Sequence, residues 1–215
     1  FTNCTNCGPR FTIIERLPYD RRRTSMEPFT MCAPCAAEYG DPLDRRFDAQ
    51  PNACPRCGPR LALIDGTGRS ATGDPLTKTV SRLSAGEIVA VKGLGGYHLC
   101  CDASNEETIA RLRERKRRPH KPLAVMFAAM EELRDHFIVT SAQAKLLRSP
   151  ARPIVIVRRR PESPLSPLLS PDTSDCGVFL PYTPLHYLLL ERIHPLVMTS
   201  GNLRDEPIAR DEAEA

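Results

Sequence analysis

The sequence predicts an α/β domain preceded by a small cysteine-stapled module, and three observations carry that prediction. Helical and strand patterns alternate from about Asp74 onward. Six of the nine cysteines fall in three C-x-x-C pairs ahead of that point, the mark of a module too small to build a core unaided. The 215 residues are 41% hydrophobic and 26% charged with both signs mixed, which is globular chemistry and not disorder.

In chain order, the pairs are Cys4/Cys7, Cys32/Cys35 and Cys54/Cys57, separated by 24 and then 18 residues. NCTNCGPRF at 3–11 and ACPRCGPRL at 53–61 are near copies offset by 50 residues, an internal repeat. Each C-x-x-C-G turn can present two thiolates to one metal, with the glycine expected in a left-handed backbone that frees neighbouring N–H groups toward sulfur. Cys32, Cys35, Cys54 and Cys57 then form one complete Cys4 tetrahedron, the pattern of structural Zn²⁺ with no open position for water or substrate. Cys4 and Cys7 read as half of another site, whose partners are expected upstream of Phe1. Disulfides would need an oxidising compartment, and a redox C-x-x-C would need a thioredoxin-like pattern; both readings are weaker than zinc. Cys100, Cys101 and Cys176 read as small buried apolar residues.

Beyond the module, Pro75–Ala85 reads as a helix closed by Gly86, and Glu87–Lys92 (EIVAVK) as a β-branched strand. Ser104 with Glu107 predicts a capping box opening a helix to about Arg117, stopped by Pro119. Leu123–Phe127 reads as a strand, followed by helical segments at Glu131–His136 and Ala142–Leu147 and a strand at Ile154–Arg158. A Pro/Ser-rich loop at Pro161–Pro171 leads to a strand at Gly177–Leu180. Thr183 as N-cap and Pro184 at the first helical position start a helix to Arg192, and Leu196–Thr199 is a further strand. Asp205–Ala215 resembles the entrance of a helix.

The longest apolar run, Leu123–Met130, is eight residues, against the roughly 18 a membrane span requires. Phe1 is followed by polar residues, with neither an initiator Met nor the apolar stretch of a secretory signal, so the chain is expected to be an internal piece of a longer protein of the cytoplasm. A net charge of +4, with 25 Arg against 5 Lys, permits anionic ligands without demanding nucleic acid.

Four segments could carry chemistry. Lys92–Leu99 (KGLGGYHL) is a Gly-rich stretch after a strand, either a tight turn or a ligand cradle. Arg115–Leu123 (RKRRPHKPL) holds five cations and a histidine in nine residues, either a solvated helix end or an anion site. Thr199–Asn202 (TSGN) places hydroxyls and an amide at a strand end, where ligand binding and turn chemistry are both open. Pro181–Leu190 contains His186, on composition a packing residue more than a catalyst.

Together these segments resemble the HypF-type carbamoyltransferases of nickel–iron hydrogenase maturation: the cysteine spacings, CGPRFTII, DPLDRRFDAQP, VKGLGGYHL, RKRRPHKPLAVM, LPYTPLHYLLL and LVMTSGN occur in order. The resemblance implies a zinc-finger module over residues 1–66 and, over 75–215, a twisted mixed-sheet domain like that of YrdC/Sua5 proteins, incomplete at its C-terminal end. It implies that this domain joins ATP, with Mg²⁺, to carbamate derived from carbamoyl phosphate, giving carbamoyl-adenylate. The carbamoyl group would then pass, in a domain outside this chain, to the C-terminal cysteine of a HypE-type partner.

The family's K-x-R-P…P-L signature falls on Lys116, Arg118, Pro119, Pro122 and Leu123, and its S-x-N signature on Ser200 and Asn202, with Gly201 where relatives commonly have alanine. Lys92–His98 replaces the Thr-rich turn of YrdC relatives, a departure that fits a smaller acyl group. The resemblance thus implies Lys116 and Arg118 on the phosphates with Lys121 nearby, Lys92 and His98 at the carbamoyl end, and Thr199, Ser200 and Asn202 on the nucleotide. An alternative is a double-stranded RNA-binding role without catalysis, although the finger lacks interleaved basic and aromatic residues.

Overall fold

The computed structural model describes residues 10–203, 206–211 and 213, except for the side chains of residues 10 and 11. It divides into two units, Phe1–Ala62 and Leu63–Ala215. Cys4 and Cys7 lie outside the described residues.

The first unit carries little regular structure: α1 (Arg10–Ile13), a 3-10 turn (Arg21–Arg23) and α2 (Ala33–Gly40), which opens with Pro34 in its first turn. Only Met26 and Cys35 are buried apolar residues among its described members, while Leu17, Leu43, Phe47 and Leu61 are exposed. Polar bonds hold it instead. Arg21, 9% exposed, donates from Nη1 to the carbonyls of Gln50 (2.6 Å) and Asn52 (2.8 Å) and from Nη2 to that of Phe29 (2.7 Å). Asn52 in turn donates to the Cys35 carbonyl at 2.8 Å. The arginine run at 21–23 is therefore not a uniform basic patch, because its first member is an internal strut.

The second unit is α/β with a seven-stranded mixed sheet. In chain order it contains α3 (Pro75–Ser84), β1 (Val89–Lys92), β2 (Tyr97–Asp102), α4 (Glu106–Arg115), β3 (Val125–Met126), α5 (Met130–His136) and β4 (Phe137–Ile138). There follow α6 (Ser141–Arg148), β5 (Val155–Arg159), β6 (Asp175–Phe179), α7 (Pro184–Leu190) and β7 (Leu196–Ser200). The strand order is β1-β2-β7-β3-β6-β5-β4; only β3 and β6 run parallel. Alternation along the strands sends neighbours to opposite faces. Cys101, Val125, Val178 and Val197 pack with Ile109 and Leu112 of α4, Leu133 of α5 and Leu147 of α6. Cys100, Met126, Phe179 and Met198 pack with Leu76 and Leu83 of α3 and Leu189 and Leu190 of α7. Cys100, Cys101 and Cys176 are all buried, as apolar filler should be.

Several boundaries differ from the sequence expectation for local reasons. Asn105, not Ser104, caps α4, its Oδ1 accepting from the Thr108 N–H at 3.0 Å while Ser104 is held by Asp102. The β2 strand and the two-residue β4 carry no strong pattern of their own; cross-strand pairing makes them. Residues 206–211 form no helix. Instead the Ala209 carbonyl accepts from the Tyr97 N–H (2.7 Å) and the Ala209 N–H donates to the Gly201 carbonyl (2.8 Å), a return across the neighbouring ends of β2 and β7. None of the helices among the described residues is long and apolar enough to cross a membrane.

Candidate functional site

In the first unit the four sulfurs of Cys32, Cys35, Cys54 and Cys57 lie within 4.8 Å of one another. The Cys32–Cys54 and Cys54–Cys57 pairs are each 3.7 Å apart. A tetrahedron of Zn–S bonds of about 2.3 Å has edges of about 3.8 Å, so the donor set fits a closed structural Zn²⁺ site. Backbone N–H groups of Cys32 and Cys54 pull the Cys57 thiol down to about 6, and backbone N–H groups of Arg56 and Cys57 lower that of Cys54. Burial, then hydrogen bonds to the other thiols, push Cys35 up to about 12; a metal ion reverses that preference by coordinating the thiolate. The glycine after the third pair works differently from the expectation. Gly58 is not among the positive-φ glycines. It is there for space: a Cβ would stand 2.7 Å from Ala53 Cβ and 3.1 Å from the Cys54 carbonyl.

In the second unit a cation site forms where α4 ends. Ile109, Leu112, Arg113 and Lys116 recur at helical spacing along one buried face, so α4 carries cations where an apolar stripe would normally continue. Arg113, 6% exposed, spans the loop that follows: Nη1 donates to the carbonyls of Arg118 (2.7 Å) and Pro119 (3.0 Å), and Nε to that of Leu168 (2.5 Å). Sequence reasoning passed over Arg113, although the interruption of that stripe was its signal.

Lys116, 5% exposed, reaches from this loop to the end of β7. Its Nζ donates to the Ser200 carbonyl (2.6 Å), the Asn202 carbonyl (2.8 Å) and Asn202 Oδ1 (3.2 Å). Arg118 donates from Nη1 to Thr199 Oγ1 (3.2 Å), from Nη2 to the Pro122 carbonyl (2.5 Å) and from Nε to the Lys121 carbonyl (3.3 Å). All three ammonium donors of Lys116 are thus engaged, whereas Arg118 keeps two of its five for another acceptor. Burial, and for Lys116 also the Arg118 charge, lowers the pKa of both cations. Neither has a carboxylate within ion-pair reach among the described residues. Ser200 Oγ donates to Asn202 Oδ1 at 2.6 Å, completing a tight hydroxyl–amide turn.

The Gly-rich segment borders this turn. Its residues 93–96 connect β1 to β2, and β2 pairs with β7 so that His98 lies opposite Ser200 and Leu99 opposite Thr199. Gly96, at φ +147, would place a Cβ 2.5 Å from the Ala209 carbonyl; Gly201 would place one 2.8 Å from that of Tyr97. Of the expected site residues, Lys116, Arg118, Thr199, Ser200 and Asn202 form one hydrogen-bonded cluster, and His98 adjoins it through the sheet. Lys92, exposed, has its ammonium 5.5 Å from the Tyr97 ring centroid, on the adjoining hairpin. The side chain of Lys121 is exposed, and only its carbonyl joins the cluster. His120 bonds Asp172 at 2.9 Å on the surface.

Comparison with known proteins decides the family. The Sua5/YciO/YrdC family model, whose description is "Telomere recombination", matches residues 81–215, and the HypF finger model matches residues 31–64. The chain is a HypF-type member of the Sua5/YciO/YrdC family. The carbamoyltransferase HypF of Rhodobacter capsulatus is 56% identical over 216 residues, 99% of this chain and 29% of that protein. A crystal structure of full-length HypF in a phosphate- and nucleotide-bound form is 48% identical, with a TM-score of 0.88 over 100% of this chain and 28% of its own. T. kodakarensis HypF is 46% identical with a TM-score of 0.91, over 99% of this chain and 28% of its own. The chain therefore spans under a third of the HypF proteins it matches, and within that span it contains the HypF finger cysteines and the K-x-R-P and S-x-N segments.

Proposed function

We propose that this chain is the nucleotide-activating part of a HypF-type carbamoyltransferase. One observation carries the reading: a cation pair, Lys116 and Arg118, is gathered around the Thr199–Asn202 turn with no carboxylate in ion-pair reach among the described residues. Desolvated cations without counter-charge favour an anion, and a hydroxyl–amide turn supplies hydrogen bonds to a nucleotide. The nucleotide- and phosphate-bound state of the full-length HypF relative supports the same assignment.

In this reading ATP enters as its Mg²⁺ complex. A carbamate oxygen, already anionic and needing no general base, attacks the α-phosphorus. The bond from Pα to the bridging oxygen of the β-phosphate breaks, pyrophosphate leaves, and carbamoyl-adenylate remains. Lys116 shapes the turn and lends its charge, and Arg118 turns its two spare N–H donors to the phosphates, with Lys121 nearby. Thr199, Ser200 and Asn202 hold the nucleotide, while Lys92 and His98 border the carbamoyl end. The carbamoyl group, derived from carbamoyl phosphate, then passes to the C-terminal cysteine of a HypE-type partner in the full-length protein. The finger serves as a folded element without a chemical step.

Electrostatic preorganisation of this kind is worth about 10²–10³ in rate per donor. Lys116→Ala in the full-length protein should therefore lower carbamoyl phosphate-dependent ATP–pyrophosphate exchange by at least that factor with zinc content intact. Exchange at the original rate would remove Lys116 and the turn from the reaction.

A further inference from the structure

His186 takes no part in the cluster above, yet among the described residues it is the side chain with two buried polar atoms lacking a hydrogen-bond partner. It lies on α7 at 0% exposure, and neither ring nitrogen has a hydrogen-bond partner. His98 also has a buried, unpartnered Nδ1, and the two ring centroids are 6.3 Å apart with planes tilted by 52°. Tyr182 packs edge-on against His186 at 4.6 Å between centroids. Buried polar atoms left unpaired cost about 1–3 kcal/mol each, and so many in one place call for an explanation.

Position supplies one. His98 faces Ser200 across the β2–β7 pair, so their side chains leave the same face of the sheet as neighbours. A Cβ at Gly93 would come within 3.3 Å of His98 Nε2, and the glycine keeps that edge of the ring clear. The imidazole pair thus adjoins the nucleotide turn on the side away from Arg118. Burial lowers the pKa of both rings, that of His186 to about 4 with the His98 charge as second cause. Each ring is uncharged at neutral pH and offers one acceptor nitrogen and one N–H.

We infer that His98 and His186 together read the amino group of the small acyl substrate. An –NH₂ carries two donors and satisfies two converging imidazole acceptors. A hydroxyl in its place satisfies one, and a methyl none. A site built around such bonds rejects the analogue that cannot make them far more strongly than an apolar pocket would. The nitrogens are closed to water in this arrangement, so the amino group reaches them by displacing the half-buried ring of Tyr182, which packs on His186. This inference rests on the functional reading above and adds its specificity: carbamate over bicarbonate or acetate.

The test uses the full-length protein and ATP–pyrophosphate exchange driven in parallel by carbamoyl phosphate, bicarbonate and acetate. His186→Phe should lower the kcat/KM for carbamoyl phosphate by roughly 100-fold or more and bring its advantage over bicarbonate toward one, with the KM for ATP unchanged. His186→Asn, which restores an acceptor, should recover part of the preference. An unchanged preference in a natively melting His186→Phe protein overturns the inference, as does an equal fall for all three acids. Should the phenylalanine variant fail to fold, an unchanged preference in His186→Leu overturns it equally. Absence of any carbamoyl phosphate-driven exchange in the unaltered protein overturns the functional reading first, and this one with it.

Discussion

Arg21 in the finger and Arg113 in the sheet domain do the same work with different backing. Each is a buried guanidinium that ties backbone carbonyls near it in sequence to others 29 or more residues away, with no carboxylate in ion-pair reach among the described residues. Behind Arg113 stand two apolar clusters, one on each face of a seven-stranded sheet. Behind Arg21 stand Met26 and four cysteines, of which Cys35 is buried. The contrast teaches that a buried arginine can organise a loop in either setting, but only in the finger must a metal substitute for a core.

Removing the metal is the strongest way to break that comparison. Binding of structural Zn²⁺ is worth about 10–16 kcal/mol at neutral pH. Chelation should therefore unfold the finger, read as complete amide exchange across residues 21–62, while the sheet domain keeps its own melting transition. A common loss of both transitions would show that the two units are not independently held.

A smaller effect runs the other way, touching only the sheet domain. The folded-state pKa of His186, about 4, lies below its ordinary value of 6.5. The unfolded chain takes up a proton that the folded one refuses. The stabilisation is therefore complete above about pH 6.5 and lost as pH falls through about 4, at most on the order of 3 kcal/mol. Urea midpoints of the sheet domain should fall across that window, and His186→Phe should flatten the fall. An identical slope in the variant would assign the acid sensitivity elsewhere.

The smallest effects sharpen the likeness itself. Arg21→Met and Arg113→Met should each cost about 1.5–3 kcal/mol by stranding carbonyls, measured by denaturant unfolding of the affected unit. Lysine should rescue neither, since one ammonium cannot reproduce the planar fork. Zinc should partly mask the Arg21 loss, whereas Arg113 has no such reserve.

The sequence made the chemistry-bearing parts easiest to read. C-x-x-C spacing specifies a tetrahedron almost by itself, and Lys116, Arg118, Thr199, Ser200 and Asn202 do come together in one cluster. Helical patterns together with cap, proline and glycine signals located α3, α5, α6 and α7 to within a few residues. Less legible were features decided by partners far along the chain. β2 exists because β1 and β7 flank it, and Ser104 loses the cap of α4 to Asn105 because Asp102 claims its hydroxyl. Composition cannot tell an arginine that faces water from one that faces carbonyls, as Arg21 and Arg113 do. His186 looked like packing, and nothing local reveals that its nitrogens are unpartnered.

The return of residues 206–211 across the Gly-rich turn has a consequence for how the site can vary. Because the Ala209 carbonyl occupies the space a side chain at Gly96 would need, and the Tyr97 carbonyl that at Gly201, neither glycine can change alone. Positions in three separate stretches are thereby fused into a single heritable unit. A library that randomises the hairpin while leaving the return fixed will recover glycine at 96, whatever activity is selected.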